Sequence, residues 1–560
     1  MMFVNTFLII IALLTWDDVY ASRRRNGLSS HDNNDRYHAS LWWNGWSPHD
    51  NNDRYQREPL PVTLAVTKTE FKQLWYTILN GPIQTNPTVY EDRVYVPTIA
   101  GTFYCLHADS GIIMWQRNLS AIMNNGHVYI SRTSPLVYKD MIILGIMEGL
   151  AFQKVVGHGS YVIALNRFTG ALRWQTLVSS HPASTITDTP QLANDRLFIG
   201  ISSSEESFSA SPTYPCCTFQ GSVVALKAST GKFIWETKML PDNKGTTTGY
   251  SGAGVWGSQF PVDYKRNQIY IGTGNYYKLP PLVQQCLDET TNLTLYSDPC
   301  NQPGVYGQAI LALDMSTGII RWSRTLASIE AWTVACLFPD SVPNPNCPSK
   351  PGLDFDFGQA PILKLNLKYK FGGNNRDQLF VGQKSGIAYD FDAETGTLIW
   401  SNQVSPGSYA GGMEFGSAAD DQYLYVGNNN VEGLRYTLPD GTTTTKASWS
   451  ALDLVTGDIK WTTVDPTTDI TQTSAYFALT IWDQLVLVQG GTLPYSTSNP
   501  IKGCLYGLNK KNGKILYEKC IQNTPLGTGA SVAKNTIYVG VGYNISRVAT
   551  DGILALQLPS

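Results

Sequence analysis

Gly221-Ser-Val-Val-Ala-Leu-Lys-Ala-Ser-Thr-Gly231-Lys-Phe-Ile-Trp235 decides how this chain folds. The apolar run before Lys227 has the period of a strand, Ser-Thr-Gly supplies a tight turn, and the chain returns to an aromatic residue four positions after the glycine. This is one hairpin. The same Gly/aromatic pair recurs at Gly111/Trp115, Gly170/Trp174, Gly318/Trp322, Gly396/Trp400, Gly457/Trp461 and Gly513/Tyr517, with runs such as Gln-Ala-Ile-Leu-Ala-Leu-Asp (308–314) ahead of the turn.

Strand-and-turn units repeated every few tens of residues predict an all-β propeller, in which each blade buries one aromatic against its neighbour. Gly552-Ile-Leu-Ala-Leu-Gln557 matches the strand before the turn but lacks the turn and its Trp, while Leu74-Trp75-Tyr76 has no preceding strand of its own. Pairing these two segments completes a split copy. The expectation is therefore an eight-bladed β-propeller with N-/C-terminal strand closure of the last blade, which removes the free sheet edges of an open stack.

Composition agrees with one large all-β unit. Of 560 residues only 15% are charged, against a usual value of about 25%, and Gly 49 with Pro 30 suits many short strands and turns. Three regions are expected: 1–21 a signal peptide, 22–60 a polar N-terminal arm, and 61–560 the propeller. The first rests on the apolar run Phe7 to Leu14 and on Val19-Tyr20-Ala21, with cleavage after Ala21. That run is too short to span a bilayer, and no later one reaches 18 apolar residues, so a secreted chain without a membrane span is expected. The arm holds a near-copy, His31-Asp-Asn-Asn-Asp-Arg-Tyr37 and His49-Asp-Asn-Asn-Asp-Arg-Tyr55, read as a local duplication in a solvated segment. A net charge of −3 without a Lys/Arg stripe excludes nucleic acid as a partner.

Nine cysteines in a secreted chain imply disulfides and one remaining thiol. Cys286/Cys300 and Cys336/Cys347 bracket short insertions, Cys504 and Cys520 face each other across one hairpin, and Cys105 is expected as the buried odd thiol. Asn118, Asn292 and Asn544 stand in glycan-acceptor triplets.

A ring of blades leaves a central funnel, and loops at its mouth are where a site would be built. Three loops break the pattern: Gly200 to Glu205-Glu206 and on to Cys216-Cys217, Gly254-Val-Trp256-Gly to Gly272-Thr-Gly-Asn275, and Trp332 through Asp354-Phe-Asp356. They bring carboxylates, an amide and a planar ring. Together with Trp46-Ser-Pro-His-Asp-Asn-Asn-Asp-Arg-Tyr55, Ser-His-Pro-Ala-Ser (180–184), Cys-Cys-Thr-Phe-Gln-Gly-Ser (216–222), Met-Leu-Pro-Asp-Asn (239–243), Asp-Phe-Gly-Gln-Ala-Pro (356–361) and Gln-Lys-Ser-Gly (383–386), they make residues 43–560 resemble the pyrroloquinoline quinone (PQQ)-dependent alcohol dehydrogenases. The likeness is greatest to the polyvinyl-alcohol-dehydrogenase-like branch.

The resemblance implies PQQ bound in the funnel with Ca²⁺, a cation that takes carboxylate and amide oxygens. It puts Glu205 and Asn275 at the metal positions, with Glu206 the alternative to Glu205. It also puts Trp256 beneath the quinone and Lys384 beside its reactive carbonyl. Cys216-Cys217 is similar to a vicinal disulfide that relatives set against the quinone, which implies a cofactor contact, but here the pair follows the Glu205 loop whereas in methanol-oxidising relatives it belongs to a different loop. Many relatives carry Trp-Asp where this chain reads Trp332-Thr333, and a threonine is no base near neutral pH. The base then falls to Asp356, within the family-like Asp-Phe-Gly run, or to Asp354. His181 is a minor candidate for proton transfer. Without a Cys-x-x-Cys-His haem motif, electrons from a small or polymeric alcohol must pass to an external acceptor. Two rival readings remain: a catalytically silent secreted propeller that binds partners or matrix, which Thr333 favours, and an assembly scaffold, which would have no need of Trp256, Asn275 and the acids together.

Overall fold

The computed structural model describes residues 41–149, 157–290, 300, 302–326, 329–337, 344–468, 473–492, 501–543 and 551–559. The expected signal peptide, the first copy of the duplication, and the triplets at Asn292 and Asn544 lie outside the described residues.

Each repeat forms an antiparallel sheet of consecutive strands. In the first, Thr88–Tyr90, Arg93–Pro97, Thr102–His107 and Ile113–Asn118 pair in chain order. The middle strands are buried on both faces, whereas Ile113–Asn118 fully buries only Trp115. A lone buried aromatic in an otherwise exposed outer strand is why the repeat is so visible in the sequence.

Blades follow at 129–179, 184–238, 262–325, 362–403, 418–464 and 480–522, which brings the number made from the chain's own consecutive strands to seven. The expectation of eight blades is corrected to seven by this. Residues 531–557 supply three strands, Ser531–Ala533, Thr536–Val541 and Gly552–Gln557, and the sheet takes its outer strand from Lys72–Ile78, with Trp75 opposite Ala555. This composite sheet joins the two ends of the ring. The same N-terminal stretch widens the neighbouring blade to six strands, adding Tyr55–Gln56 beside Thr480–Trp482 and Thr69–Glu70 beside Ile515–Gln522, both in parallel.

Both members of each repeat pair have a structural job. Every repeat glycine has positive φ, between 66° and 77°, and its Cα faces the aromatic ring of the preceding sheet. A Cβ at Gly231 would lie 2.5 Å from the Trp174 ring, and one at Gly111 would lie 2.6 Å from Trp75. Only glycine satisfies both the backbone and the contact. The indoles also pin sheet to sheet: Trp75 Nε1 donates to the Ala108 carbonyl at 2.9 Å, Trp400 to Leu454 at 3.0 Å and Trp461 to Lys510 at 3.0 Å. Tyr517 has no following glycine and stacks on Phe71 instead, with centroids 5.4 Å apart.

The segment expected as a solvated arm is built into the protein over residues 43–56. Trp43, Asp53, Arg54 and Gln56 have no solvent exposure. Asp53 accepts from Asn51 at 3.1 Å and Arg57 at 2.7 Å and lies 3.1 Å from His49 Nδ1. Burial opposes its charge, but His49, Arg57 and Lys364 outweigh that and hold the carboxyl far below the usual range. The polar residues are inside because they satisfy one another.

All four expected disulfides are present, Cys216–Cys217, Cys286–Cys300, Cys336–Cys347 and Cys504–Cys520, and Cys105 is the buried thiol. Among the described residues no helix is long and apolar enough to cross a membrane.

Candidate functional site

Loops from several sheets enclose a cavity of about 830 Å³. Its wall includes Glu206, Trp256, Asn275, Asp356, Phe415 and Tyr476, so three of the residues singled out from sequence, with Glu206, meet in one place. The cavity is within the size range of small-molecule and cofactor sites.

Asp356 is the hub. Its Oδ2 accepts from the Trp256 indole at 3.1 Å and its Oδ1 from the Asn275 backbone N–H at 2.5 Å. Glycines make this approach possible, since a Cβ at Gly274 would come within 2.9 Å of the same carboxylate and one at Gly358 within 2.8 Å of the Trp256 ring. The Asn275 side chain donates to the Trp332 carbonyl at 3.0 Å. Trp256 is thereby held as a rigid wall, with Phe415 edge-on at 5.8 Å.

Behind that wall lies Lys384, whose ammonium donates to Asp354 at 2.7 Å and sits 5.7 Å from the Trp256 ring centroid. Asp354 does not line the cavity; it is buried, with φ of +60° and one oxygen, Oδ1, without a partner. Four acids crowd this lysine. Burial alone would discharge it, but Asp354, Asp356, Glu414 and Glu206 raise its proton affinity, so it stays an ammonium. Burial raises the Asp356 carboxyl as well, opposed by Lys384 and by the hydrogen bonds from Asn275 and Trp256.

Glu206 and Glu414 complete the group. Burial and the nearby Asp356 push Glu206 up to about 8, and burial pushes Glu414 up to about 7. Each keeps one buried carboxylate oxygen, Oε1, without a protein partner. Glu414 was not foreseen from sequence. Its only signal is an acid flanked by glycines, Gly411-Gly-Met-Glu414-Phe-Gly416, outside the Gly/Trp register.

Other expected residues lie elsewhere. Glu205 faces away from the cavity and is consumed by its own loop: it accepts the backbone N–H of Thr218 at 2.9 Å and of Phe219 at 2.8 Å, and the Tyr214 hydroxyl at 3.1 Å. In the helical turn Glu205–Phe208 adjacent side chains point in different directions, so the cavity receives Glu206 instead. Cys216 and Cys217 are joined but pack among Ile199, Ile201, Phe219 and Tyr277, off the cavity wall. His181 lies 3.0 Å from the Thr218 hydroxyl and accepts from the Ala183 backbone, and burial lowers it to about 4. Thr333 is buried and donates to the Asn346 carbonyl at 2.9 Å.

The donor set fits the group the resemblance implies. Buried carboxylate oxygens without partners on Glu206, Asp354 and Glu414 are acceptor atoms left over by the protein, and burial disfavours their charge. A hard divalent cation beside Glu206 and Asn275 would take such oxygens and draw Glu206 back to its anionic form. The flat Trp256 ring on the cavity wall suits a planar cofactor.

The chain resembles known proteins over most of its length. The chain is 28% identical over 553 residues to the polyvinylalcohol dehydrogenase of Sphingopyxis sp. (strain 113P3), covering 94% of this chain and 73% of that protein. It is 27% identical over 513 residues to the polyvinylalcohol dehydrogenase of a Pseudomonas species, covering 87% and 71%. Among solved structures, the quinohemoprotein alcohol dehydrogenase of Comamonas testosteroni superposes with a TM-score of 0.63 at 15% identity, over 95% of this chain and 84% of that one, which shows a shared fold. The PQQ_2 family model, described as outer membrane protein assembly factor BamB, matches residues 62–279 and 307–544. With more than half of its length matched, the chain belongs to the PQQ_2 family.

Proposed function

We propose that this protein is a secreted alcohol dehydrogenase that uses PQQ and Ca²⁺ and passes electrons to an external acceptor. The observation that carries the reading is the meeting of Trp256, Asp356, Asn275 and Glu206 on one cavity wall, with Lys384 behind it. When bound, PQQ supplies the two-electron acceptor and the cation polarises its carbonyl.

The chain's own groups supply the rest. Asp356 is the candidate base for the alcohol hydroxyl, because it reaches the cavity whereas Asp354 is turned to Lys384. The Trp256 and Asn275 N–H groups fix its orientation, and the Lys384 charge keeps part of its proton affinity in check. Glu206 and Asn275 would hold the cation, with Glu206 taking the place expected of Glu205. The apolar run at 7–14 and the disulfides support export, since such crosslinks persist in oxidising compartments. The polyvinylalcohol dehydrogenase relatives favour a secondary or polymeric alcohol as substrate.

The test is reconstitution of the purified protein with PQQ and Ca²⁺, followed by cofactor absorbance and dye reduction with secondary alcohols and polyvinyl alcohol. Binding with turnover is expected, and Asp356→Asn should lower turnover by about 10²–10⁴-fold with the cofactor still bound. Cofactor binding without turnover would make this a silent propeller; neither would remove the quinoprotein reading.

A further inference from the structure

A second group of ligand-type side chains, none of them in contact with the Asp356 group, includes two residues of the cavity wall, His127 and Glu148. His127, Glu148 and His158 each offer one ligand atom, and these lie within 4.8 Å of one another. His127 Nδ1 is 3.1 Å and His158 Nδ1 3.4 Å from the same carboxylate oxygen, Glu148 Oε1. The two imidazoles lie against each other with centroids 3.7 Å apart.

The sheet dictates this meeting. Glu148 ends the strand Met141–Glu148, which has a partner strand on either side. Tyr129 lies opposite Glu148 on one side and Ser160 opposite Met147 on the other. His127 and His158 each stand two residues before those partners. Strands about 4.8 Å apart therefore deliver one histidine from each flank to the central carboxylate. The other oxygen, Glu148 Oε2, accepts the His158 backbone N–H, which fixes the carboxylate and turns Oε1 toward both rings.

We infer that His127, Glu148 and His158 bind a borderline divalent cation of the zinc class. Metal–ligand bonds of about 2.0–2.1 Å in a tetrahedron set neighbouring ligand atoms about 3.3 Å apart. The two measured separations bracket that value. Two imidazole nitrogens and one carboxylate oxygen suit zinc, cobalt or nickel rather than calcium, which takes oxygen alone. Three protein ligands leave a coordination position for water or an incoming oxygen ligand. Because His127 and Glu148 belong to the cavity wall, the ion would border the cavity and tie the 127–130 and 157–160 segments together.

The site is separable from the quinone reading because it shares no residue with it. The test uses the full-length protein stripped with chelator and saturated with Ca²⁺, then titrated with Co²⁺ while visible absorption is recorded. The expected result is one Co²⁺ per chain with an intensified d–d band, displaced by one equivalent of Zn²⁺. His127→Ala and His158→Ala should each weaken binding at least about tenfold, while Ca²⁺ binding is unchanged. A Co²⁺ spectrum like that of the solvated ion, or binding as tight in both variants as in the parent, would overturn the site. Since His158 is largely exposed, its variant tests the ligand set without disturbing the fold.

Discussion

Glu205 and Glu206 are neighbours with opposite jobs, and substituting each by glutamine separates them. The Glu205 carboxylate accepts two backbone N–H groups and two hydroxyls from residues 214–219. Hydrogen bonds to a charged acceptor are worth about 1.5–3 kcal/mol each, and an unpaired buried donor costs about 1–3 kcal/mol. Glutamine keeps one acceptor oxygen and turns an NH₂ toward the donors the other oxygen served. Glu205→Gln should therefore cost about 3–5 kcal/mol. With an unfolding entropy of about 2.1 cal/mol/K per residue, the unit Ala39–Ser560 loses roughly 3–5 °C of Tm for that cost. Glu206→Gln removes a carboxyl that burial and Asp356 already disfavour as an anion, so Tm should hold or rise. Its Ca²⁺ affinity should fall at least about tenfold, whereas Glu205→Gln should leave it within a factor of about three. Scanning calorimetry and Ca²⁺ titration of the two variants decide the matter. If Glu205→Gln loses Ca²⁺ affinity at unchanged Tm while Glu206→Gln does the reverse, the assignment of the metal carboxylate is refuted.

The repeat glycines can be tested with an internal control. Gly231→Ala combines left-handed backbone with a Cβ 2.5 Å from Trp174, whereas Gly245→Ala has a φ of +70° and open space around it. Left-handed strain alone costs about 1–2 kcal/mol, so Gly231→Ala should exceed Gly245→Ala by about 2 kcal/mol or more in denaturant unfolding, and equal losses would dismiss the interblade contact. Trp75→Ala should cost about 3 kcal/mol by loss of the ring over Gly111 and the bond to Ala108, and should speed proteolysis near 72–78; an unchanged cleavage rate would count against closure by this strand. His181 titrates near 4 when folded against an ordinary 6.5, so the unfolded chain binds the extra proton. Its contribution is complete above pH 6.5 and is lost as pH falls toward 4, at most about 3 kcal/mol. The stability difference between parent and His181→Gln should therefore narrow across that window, and a pH-independent difference would exclude a buried neutral imidazole.

What the sequence disclosed and what it withheld have a common physical origin. Gly231 and Trp235 are legible because each meets two demands at once, a backbone angle and a contact, and only one residue type meets both. Trp256 stood out because it lies outside that register, and Asn275 because it ends a Gly-Thr-Gly-Asn run that resembles the family's. Glu205 and Glu206 were not separable, since a one-residue step in a short helical turn reverses what a side chain faces, and no periodicity spans four residues. Counting repeats located the blades and the pairing of the segment around Trp75 with 552–557, but it overcounted: that sheet is assembled from two distant segments, and seven blades are made from consecutive strands.

The largest misreading concerns residues 43–56, where polarity implied solvent. Among the described residues Arg54 has no carboxylate partner, and it has no exposure, yet its guanidinium donates to Leu479 at 2.5 Å, Ala530 at 3.2 Å and the Thr480 hydroxyl at 2.8 Å, and to the Trp46 carbonyl. It also lies 5.1 Å from the Trp43 ring and 5.0 Å from Trp46. Gln56 adds a bond to the Val532 carbonyl at 3.0 Å. Leu479 and Thr480 lead into the six-stranded blade, Ala530 and Val532 into the composite sheet beside it, and Trp46 belongs to the N-terminal segment itself. Pairing of Lys72–Ile78 with Gly552–Gln557 fastens the join at its outer edge, and Arg54 fastens it from within. A fork of donors fits carbonyls presented by two sheets as no apolar side chain can. Polar composition therefore marks here the place where two ends of a ring must be held in one register, because directed hydrogen bonds set a geometry that apolar packing alone leaves free to slip.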